Sequence, residues 1–273
     1  MIDLHNHILF KIDDGPDTLS DSLEMASLLS RCGYRHIVAT PHTVPGTTWV
    51  PSTDSIKDHI AKIDQAAKDG GLDLKILPGM EISFDPQLLD LLNDKKLFTL
   101  GGKFTSCLLI EAPFHRFPLG WEQLVFEIIS KNHMILLAHP ERCAQVAQNP
   151  QIIDHLVNTG VYIQVNWSSF LGEHGRSAKR TARHLAEKGQ IHCLATDAHN
   201  PRDCQFALLR DAADNVQQLI GSKNLVRIAR ENPLRILRGK PPLQMMKSES
   251  ANEPKKNTCT KFGNDFSVPV ATP

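Results

Sequence analysis

The sequence lacks an excess of charge of either sign. Lys plus Arg and Asp plus Glu number 30 each among 273 residues, so the formal net charge is zero. Without an overall basic field, general electrostatics cannot hold nucleic acid or an anionic membrane. We therefore expect no nucleic-acid partner, and we expect a local site to capture any anionic substrate.

Long apolar runs and paired cysteines are also missing. No stretch of 18 or more apolar residues occurs, and the N-terminus has no basic start followed by an apolar stretch. This pattern argues against membrane insertion and against a secretory leader. The six cysteines are scattered, with neither zinc-ribbon spacing nor the density of a disulfide scaffold. We expect reduced thiols and a cytoplasmic protein.

Two familiar hydrolase signatures are absent as well. The Gly-x-Ser-x-Gly elbow of many serine hydrolases does not occur. A cysteine phosphatase needs an arginine six positions after its nucleophile, whereas His199 stands at that distance from Cys193. Because Cys193 falls inside an apolar stretch, we interpret it as a buried, inert thiol.

Short apolar runs alternate with amphipathic segments as far as about Pro233. The pattern predicts seven strands, at residues 2–7, 36–40, 74–78, 107–111, 134–138, 161–165 and 192–196. Repeated strand-then-helix order predicts parallel strands with right-handed crossovers, in either a closed barrel or an open sheet, and we favour the barrel. The composition turns polar from Met246 onward. We assign residues 1–240 to one catalytic domain and residues 241–273 to a disordered tail.

Possible metal ligands recur at the ends of these strands. His5 and His7 stand two residues apart, so both imidazoles point to one face of the sheet, although such a pair is also common as polar surface. Further candidates follow other strands or occupy the first loop: Asp13, Asp14, His42, Glu81, Glu111, His139, Asp197 and His199. Functional groups of parallel sheets gather at the carboxyl ends of the strands. The recurrence predicts two or three ions held by imidazoles and carboxylates, a ligand set that favours Mn²⁺, Fe²⁺ or Zn²⁺.

Arg142 follows His139 in the run His-Pro-Glu-Arg and should overhang the same strand end. Its guanidinium can bind phosphate oxygens in a bidentate manner. It can equally form a salt bridge with Glu141 or with a carboxylate at a helix end, and the sequence leaves both interpretations open. His115, in the loop after Glu111, can face the pocket or the solvent.

Six short motifs carry a resemblance to a known family. They are His5-Asn6-His7, Asp13-Asp14-Gly15-Pro16, Thr40-Pro41-His42, Gly79-Met80-Glu81, Ala138-His139-Pro140-Glu141-Arg142 and Thr196-Asp197-Ala198-His199-Asn200. As a set, over about residues 1–240, they resemble the polymerase and histidinol phosphatase (PHP) superfamily. The loop at 13–16 and the run at 139–142 are most similar to the bacterial protein-tyrosine phosphatases of capsule and exopolysaccharide operons, the CpsB and YwqE type.

The resemblance implies an α/β protein with a distorted (β/α)7 TIM-like barrel, the PHP fold, and three metal ions that are usually manganese. By motif position, the three ligand sets are His5, His7, Glu81 and Asp197; Glu81, Glu111 and His139; and Asp14, His42 and His199. Arg142 matches the phosphate-binding arginine of the family. His199 is also a candidate proton donor.

The activity that the resemblance implies is hydrolysis of phosphotyrosine by metal-activated hydroxide. The implied partner is a bacterial tyrosine kinase that regulates capsular or exopolysaccharide synthesis. One alternative is a small-molecule phosphatase of the histidinol-phosphatase type, for which we expect a deeper, enclosed pocket. A second alternative is a non-catalytic, metal-binding regulator. The resemblance also allows a homo-oligomer.

Overall fold

A computed structural model describes residues 1–102 and 105–246 of the chain. Within these ranges the chain forms nine short strands: β1 Ile2–Asn6, β2 His36–Ala39, β3 His42–Thr43, β4 Lys75–Pro78, β5 Glu81–Ser83, β6 Cys107–Glu111, β7 Met134–Ala138, β8 Tyr162–Asn166 and β9 Cys193–Ala195. The seven strands predicted from the sequence are confirmed. The short strands β3 and β5 are additional.

Helices follow most of the strands. They are α1 Leu19–Arg31, α2 Thr53–Asp69, α3 Leu88–Asn93, α4 Trp121–Ser130, α5 Ala144–Gln148, α6 Gln151–Asn158, α7 Gly175–Glu187, α8 Phe206–Val226 and α9 Asn232–Leu237. Short 3₁₀ turns occur at Pro140–Arg142, Ser168–Phe170 and Pro201–Cys204. In the described part of the chain, no helix is long and apolar enough to span a bilayer.

The strands form two parallel ladders. One has the order β1-β2-β4 and the other β3-β5-β6-β7-β8-β9. The division falls at Pro41, which separates β2 from β3 and has no N–H to donate to a ladder. The α/β class with parallel strands is therefore confirmed. The two ladders are not paired into one closed sheet within the described residues, so the barrel stays a prediction.

Backbone contacts nevertheless connect the ladders on both sides. On one side the chain passes from β2 to β3 through Pro41, whose carbonyl oxygen accepts a hydrogen bond from Glu81 N–H of β5 at 3.1 Å. At the other seam, Asp197 N–H donates to His5 O and His7 N–H donates to Ala198 O, both at 3.0 Å. These bonds bring the carboxyl ends of β1 and β2 together with those of the longer ladder.

Amphipathic helices cover the strands and bury most of the apolar side chains in one large core. In α2, for example, Ile56, Ile60, Ile63 and Ala67 are buried at helical spacing. The Ser52 side chain caps this helix by accepting a hydrogen bond from Ser55 N–H at 3.1 Å. Packed helices of this kind fix the strand ends on which the site stands.

Residues 241–246 lie against the last helices without regular secondary structure. The Asn232 amide donates to Leu243 O and accepts from Leu243 N–H, at 2.9 Å and 2.8 Å. Asn224 pairs in the same way with the backbone of Met246. The rest of the predicted tail, residues 247–273, lies outside the described residues.

Candidate metal centre

The nine ligands that the resemblance implied, which are the sequence candidates without Asp13, come together at the carboxyl ends of the strands. Donor atoms of eight of them fall into three overlapping groups: His5, His7, Glu81 and Asp197; His7, Asp14, His42 and His199; and His42, Glu81 and Glu111. The ninth, His139, places Nε2 at 2.9 Å from Glu81 Oε1. Glu81 belongs to the first and third groups through Oε2, and its other oxygen, Oε1, contacts His139.

The four donor atoms of the central group are almost evenly spaced. His5 Nε2 lies 3.1 Å from His7 Nε2 and 3.2 Å from both Glu81 Oε2 and Asp197 Oδ1. His7 Nε2 lies 3.3 Å from Glu81 Oε2 and 3.4 Å from Asp197 Oδ1. Ligands about 2.0–2.1 Å from one cation are about 2.9 Å apart in an octahedron and about 3.4 Å apart in a tetrahedron. The spacing therefore fits a divalent cation.

The second ring nitrogens of these histidines are tied to acceptors. His5 Nδ1 donates to Gln164 Oε1 at 3.0 Å, and His7 Nδ1 donates to Asp13 Oδ2 at 2.8 Å. His199 Nδ1 donates to the backbone oxygen of Asp197 at 2.9 Å. Such bonds fix the ring and leave an Nε2 lone pair for a metal, as is usual for metal-binding histidines.

Several buried polar atoms in the cluster have no well-oriented hydrogen bond: His42 Nδ1, Glu81 Oε2, His139 Nδ1 and Asp197 Oδ1. Buried polar atoms are normally hydrogen-bonded, since desolvation without a partner costs about 1–3 kcal/mol. Glu81 Oε2 has imidazole nitrogens within 3.3 Å but faces the space between them. The residues present thus fit a bound cation cluster.

The other two groups differ slightly from the sets that the resemblance implied. His42 Nδ1 lies 3.0 Å from Glu81 Oε2 and 3.9 Å from Glu111 Oε2, so His42 is grouped with these carboxylates. Its Nε2 lies 3.5 Å from Asp14 Oδ1, and His199 Nε2 lies 3.4 Å from the same oxygen. His42 can therefore bridge two groups through its two ring nitrogens.

Opposite charges dominate the electrostatics of the cluster. Burial opposes protonation of His5, but the Glu81 and Asp197 carboxylates outweigh it and raise the pKa of His5 to about 9. Burial likewise opposes ionisation of Glu81, yet the charge of His5 and the hydrogen bond from His139 hold the pKa of Glu81 well below its usual value. A divalent cation can take the place of the protons on these imidazoles, and its binding would release them.

Two of the clustered residues have left-handed backbone conformations. The φ angle is 31° at His139 and 52° at Asp197, a region that residues other than glycine rarely adopt. Each such residue costs of order 1–3 kcal/mol, which the surrounding fold must offset. Both conformations turn a side chain inward just after its strand ends.

Arg142 lies at the edge of the cluster. Its Nη1 donates to Asp197 Oδ2 at 2.9 Å. The neighbouring Glu141 is occupied elsewhere, because it accepts hydrogen bonds from Asn166 N–H and Ser169 Oγ. Of the two sequence interpretations, the salt bridge is present, but with Asp197 and not with Glu141. Arg142 also lines a cavity of about 360 Å³ with Asp14, Asp197 and His199, so a substrate can reach it.

Sequence reasoning missed two amides and understated one carboxylate. Gln164 orients His5, and Asn166 Nδ2 donates to Asp197 Oδ2 at 2.7 Å. Both lie on one face of β8, and their spacing of two was the available signal, but a search for charged ligands passes over amides. Asp13 binds His7 and accepts from His42 N–H at 3.0 Å, so it positions two ligands at once.

Two residues considered in the sequence lie apart from the cluster. His115 is exposed, in agreement with the interpretation as a surface residue. Cys193 is fully buried in β9, and burial raises the pKa of its thiol well above the usual value. The predicted burial of Cys193 is confirmed, and its inertness stays a prediction that the raised pKa supports.

The sequence of the chain matches a model of a known protein family. The model of the family described as "Capsular polysaccharide synthesis, CpsB/CapC" matches residues 1–238. The chain belongs to this family. The matched range covers most of the chain and includes all nine clustered residues and Arg142.

Curated relatives in the CpsB/CapC family are named as tyrosine phosphatases. The tyrosine-protein phosphatase YwqE of Bacillus subtilis is 34% identical over 206 residues, which cover 76% of this chain and 80% of the relative. The tyrosine-protein phosphatase CpsB of Streptococcus pneumoniae is 29% identical over 242 residues, which cover 87% of this chain and 98% of the relative.

Solved structures are similar as well. One, from a study of YwqE of Bacillus subtilis and CpsB of Streptococcus pneumoniae described as metal-dependent tyrosine phosphatases, superposes with a TM-score of 0.83 at 32% identity. The match covers 89% of this CpsB/CapC chain and 97% of the other. A lactonase of Listeria monocytogenes shares the fold alone, with a TM-score of 0.52 at 12% identity over 86% of this chain and 94% of the other.

Proposed function

We propose that this CpsB/CapC-family chain is a metal-dependent protein-tyrosine phosphatase, a phosphoric monoester hydrolase. One observation carries the proposal: nine His, Asp and Glu side chains converge beside Arg142, with several buried donor atoms left without partners. The named activities of the relatives support the same reaction. A non-catalytic regulator would have no use for an accessible arginine at the metal site.

We propose that the nine residues hold three Mn²⁺ ions, with Fe²⁺ or Zn²⁺ as alternatives. The candidate ligands are His5, His7, Asp14, His42, Glu81, Glu111, His139, Asp197 and His199. The spacing of the central group and the absence of cysteine among the ligands support a hard or borderline divalent cation. When bound, such ions lower the pKa of water toward about 7 and so supply a nucleophile at neutral pH.

Arg142 would bind the phosphoryl group. Its bond to Asp197 uses Nη1, which leaves further N–H groups of the planar guanidinium free to donate to phosphate oxygens. This contact neutralises charge that develops on the phosphoryl oxygens during transfer. Because the bond to Asp197 holds the guanidinium in place, little reorganisation is needed when substrate arrives.

We propose His199 as the donor of a proton to the leaving tyrosyl oxygen, as an alternative to its role as a metal ligand, because its Nε2 cannot bind a cation and carry that proton at the same time. Its side chain is 24% exposed at the cavity, more than that of the other central histidines. The demand on this proton donor is modest, because the tyrosyl oxygen has a pKa near 10. The bond from His199 Nδ1 to Asp197 O keeps its Nε2 toward the cavity.

We further propose the physiological setting. The substrate would be a phosphotyrosine protein, and in particular a bacterial tyrosine kinase of capsular or exopolysaccharide synthesis, in line with the family description. Residues 1–240 would act as one domain in which the two ladders make a distorted barrel, supported by the hydrogen bonds at both seams. Free thiols at the five described cysteines support a cytoplasmic location.

The decisive experiment compares three substrates with Mn²⁺-loaded protein: a phosphotyrosine peptide, the matching phosphoserine peptide and histidinol phosphate. We expect phosphate release to be fastest from the phosphotyrosine peptide and to stop on addition of a chelator. Faster release from histidinol phosphate would refute the substrate assignment. Absence of release from all three would refute the enzymatic function.

A further inference from the structure

Two exposed aromatic side chains border the metal centre and have no place in the chemistry described so far. Trp49 is 37% exposed and Phe114 is 48% exposed. Trp49 lies on the loop after β3, and Phe114 lies on the loop after β6. Single exposed apolar side chains are common on protein surfaces, so the position of these two beside the candidate ligands, and not their exposure alone, makes them informative.

Each ring is stacked on a candidate ligand. The Trp49 ring lies 5.2 Å from the His42 ring with an angle of 5° between the planes. The Phe114 ring lies 6.4 Å from the His139 ring at an angle of 12°. Because His42 and His139 contact the two oxygens of Glu81, at 3.0 Å and 2.9 Å, both aromatic rings belong to the surroundings of the same carboxylate.

Phe114 also contacts the arginine that would bind phosphate. The guanidinium carbon of Arg142 lies 4.8 Å from the centre of the Phe114 ring, a cation–π distance. A phosphoryl group on Arg142 therefore places the rest of its ester next to Phe114. An aryl ester has a ring to pack there, whereas a short alkyl ester does not.

The backbone holds both aromatic residues in place. Phe114 O accepts a hydrogen bond from Ala144 N–H at 2.8 Å, at the start of α5. Trp49 O accepts from Val44 N–H at 2.7 Å, and Trp49 N–H donates to Thr47 Oγ1 at 3.0 Å. The rings are thus presented by fixed loops, which lowers the entropy cost of packing a ligand against them.

We propose that Phe114 and Trp49 form an aryl-binding subsite, which packs against the phenyl ring of phosphotyrosine while Arg142 holds its phosphate. The proposal rests on the proposed function and adds the basis of its specificity. A phosphoserine ester offers no ring on which the two aromatic side chains can pack.

The test uses Mn²⁺-loaded protein and two non-hydrolysable ligands, phenylphosphonate and methylphosphonate, with dissociation constants from calorimetry. We expect Phe114→Leu and Trp49→Leu each to weaken phenylphosphonate binding about 3- to 10-fold more than methylphosphonate binding, the range for one aromatic pair. The ring-preserving variants Phe114→Tyr and Trp49→Phe should retain the preference. Phe126→Leu, which removes a 65% exposed ring on α4, is the matched control and should change neither ligand.

Turnover gives a second measurement. We expect kcat/KM for a phosphotyrosine peptide to fall by the same factor as phenylphosphonate affinity in the two leucine variants. The deciding quantity is the ratio of the phenylphosphonate and methylphosphonate dissociation constants. An unchanged ratio would overturn the aryl subsite, and equal weakening of both ligands would mean that the variants disturb Arg142 instead. An effect in only one variant would overturn the proposal for the other residue. If the unaltered protein hydrolysed no phosphate ester, the proposed function would fail, whereas a phosphatase with an unchanged ligand ratio would lose only the subsite.

Discussion

The two ends of the parallel strands use buried polar groups in opposite ways. At the carboxyl ends, the carboxylates raise the pKa of His5 to about 9. At the amino end of β9, burial lowers the pKa of His192 to about 4, and its Nδ1 accepts a hydrogen bond from Ile163 N–H at 3.0 Å. The carboxyl end collects opposite charges around its histidines, whereas the amino end keeps its histidine neutral. Burial of a histidine therefore does not by itself indicate a metal ligand, whereas burial among carboxylates does.

Replacement of a histidine at the carboxyl end should have the largest effect. We expect His5→Ala to remove bound metal and to lower phosphotyrosine turnover by more than about 100-fold, since even residues that only orient a ligand cost about 10- to 100-fold. Metal content and kcat/KM measure the two losses together. The matched control is His133→Ala, which removes an imidazole just before β7, at the opposite end of the strands. Full activity and intact metal content in His5→Ala would contradict the assignment of the metal centre to the carboxyl ends of the strands.

Replacement of His192 should alter the pH dependence of stability. The folded state holds His192 neutral down to about pH 4, whereas the unfolded chain protonates it near its usual pKa of about 6.5. Its contribution is therefore complete above the unfolded pKa and is lost as the pH falls toward 4. The shift corresponds to about 3 kcal/mol in the free energy of unfolding.

The variant His192→Asn keeps an acceptor for Ile163 N–H without a titrating ring. Urea unfolding of metal-free protein between pH 4 and pH 7 should show a smaller loss of stability in the variant than in the unaltered protein. If the free energy of unfolding fell equally with pH in both proteins, His192 would not titrate as we expect. The contrast between the two strand ends would then not hold for the amino end.

A smaller effect is expected at Asn232, which ties the amino end together. Asn232 Nδ2 donates to His192 O at 2.7 Å, and its amide also pairs with the Leu243 backbone. We expect Asn232→Ala to lower the free energy of unfolding by about 2 kcal/mol, because buried partners lose their hydrogen bonds. Metal content should not change. Asn215→Ala removes a solvent-exposed hydrogen bond to Asp211 O on α8 and should cost less than about 0.5 kcal/mol. Loss of metal in Asn232→Ala would contradict the separation of the two ends.

The sequence predicted the seven principal strands because each is a compact apolar run between helices. It did not predict β3 and β5, which contain two and three residues. These strands exist because His42 and Thr43 pair with Glu81 and Ile82, and such short pairings depend on tertiary contacts. The same pairing explains why His42 and Glu81, expected in loops after strands, stand at the start of strands.

The membership of the cluster could be predicted more fully than its arrangement. Strand-end position and residue type were enough to find all nine clustered residues. Which imidazole shares which carboxylate depends on side-chain distances, so the grouping of His42 with Glu81 and Glu111 was not foreseen. Amides such as Gln164 escaped because neutral residues carry no signal of chemistry in a single sequence. Trp49 and Phe114 escaped because loop aromatics have no periodic pattern.

The left-handed backbone at His139 and Asp197 has a consequence for protein engineering. Glycine would relieve the backbone strain at both positions, but it would also remove the contact of His139 with Glu81 and the hydrogen bonds that Asp197 accepts from Arg142 and Asn166. Either change would delete a side chain from the metal centre. At these two positions the backbone geometry and the side-chain contacts therefore favour different amino acids, so designs that choose residues from backbone angles alone would place glycine where the site needs a ligand.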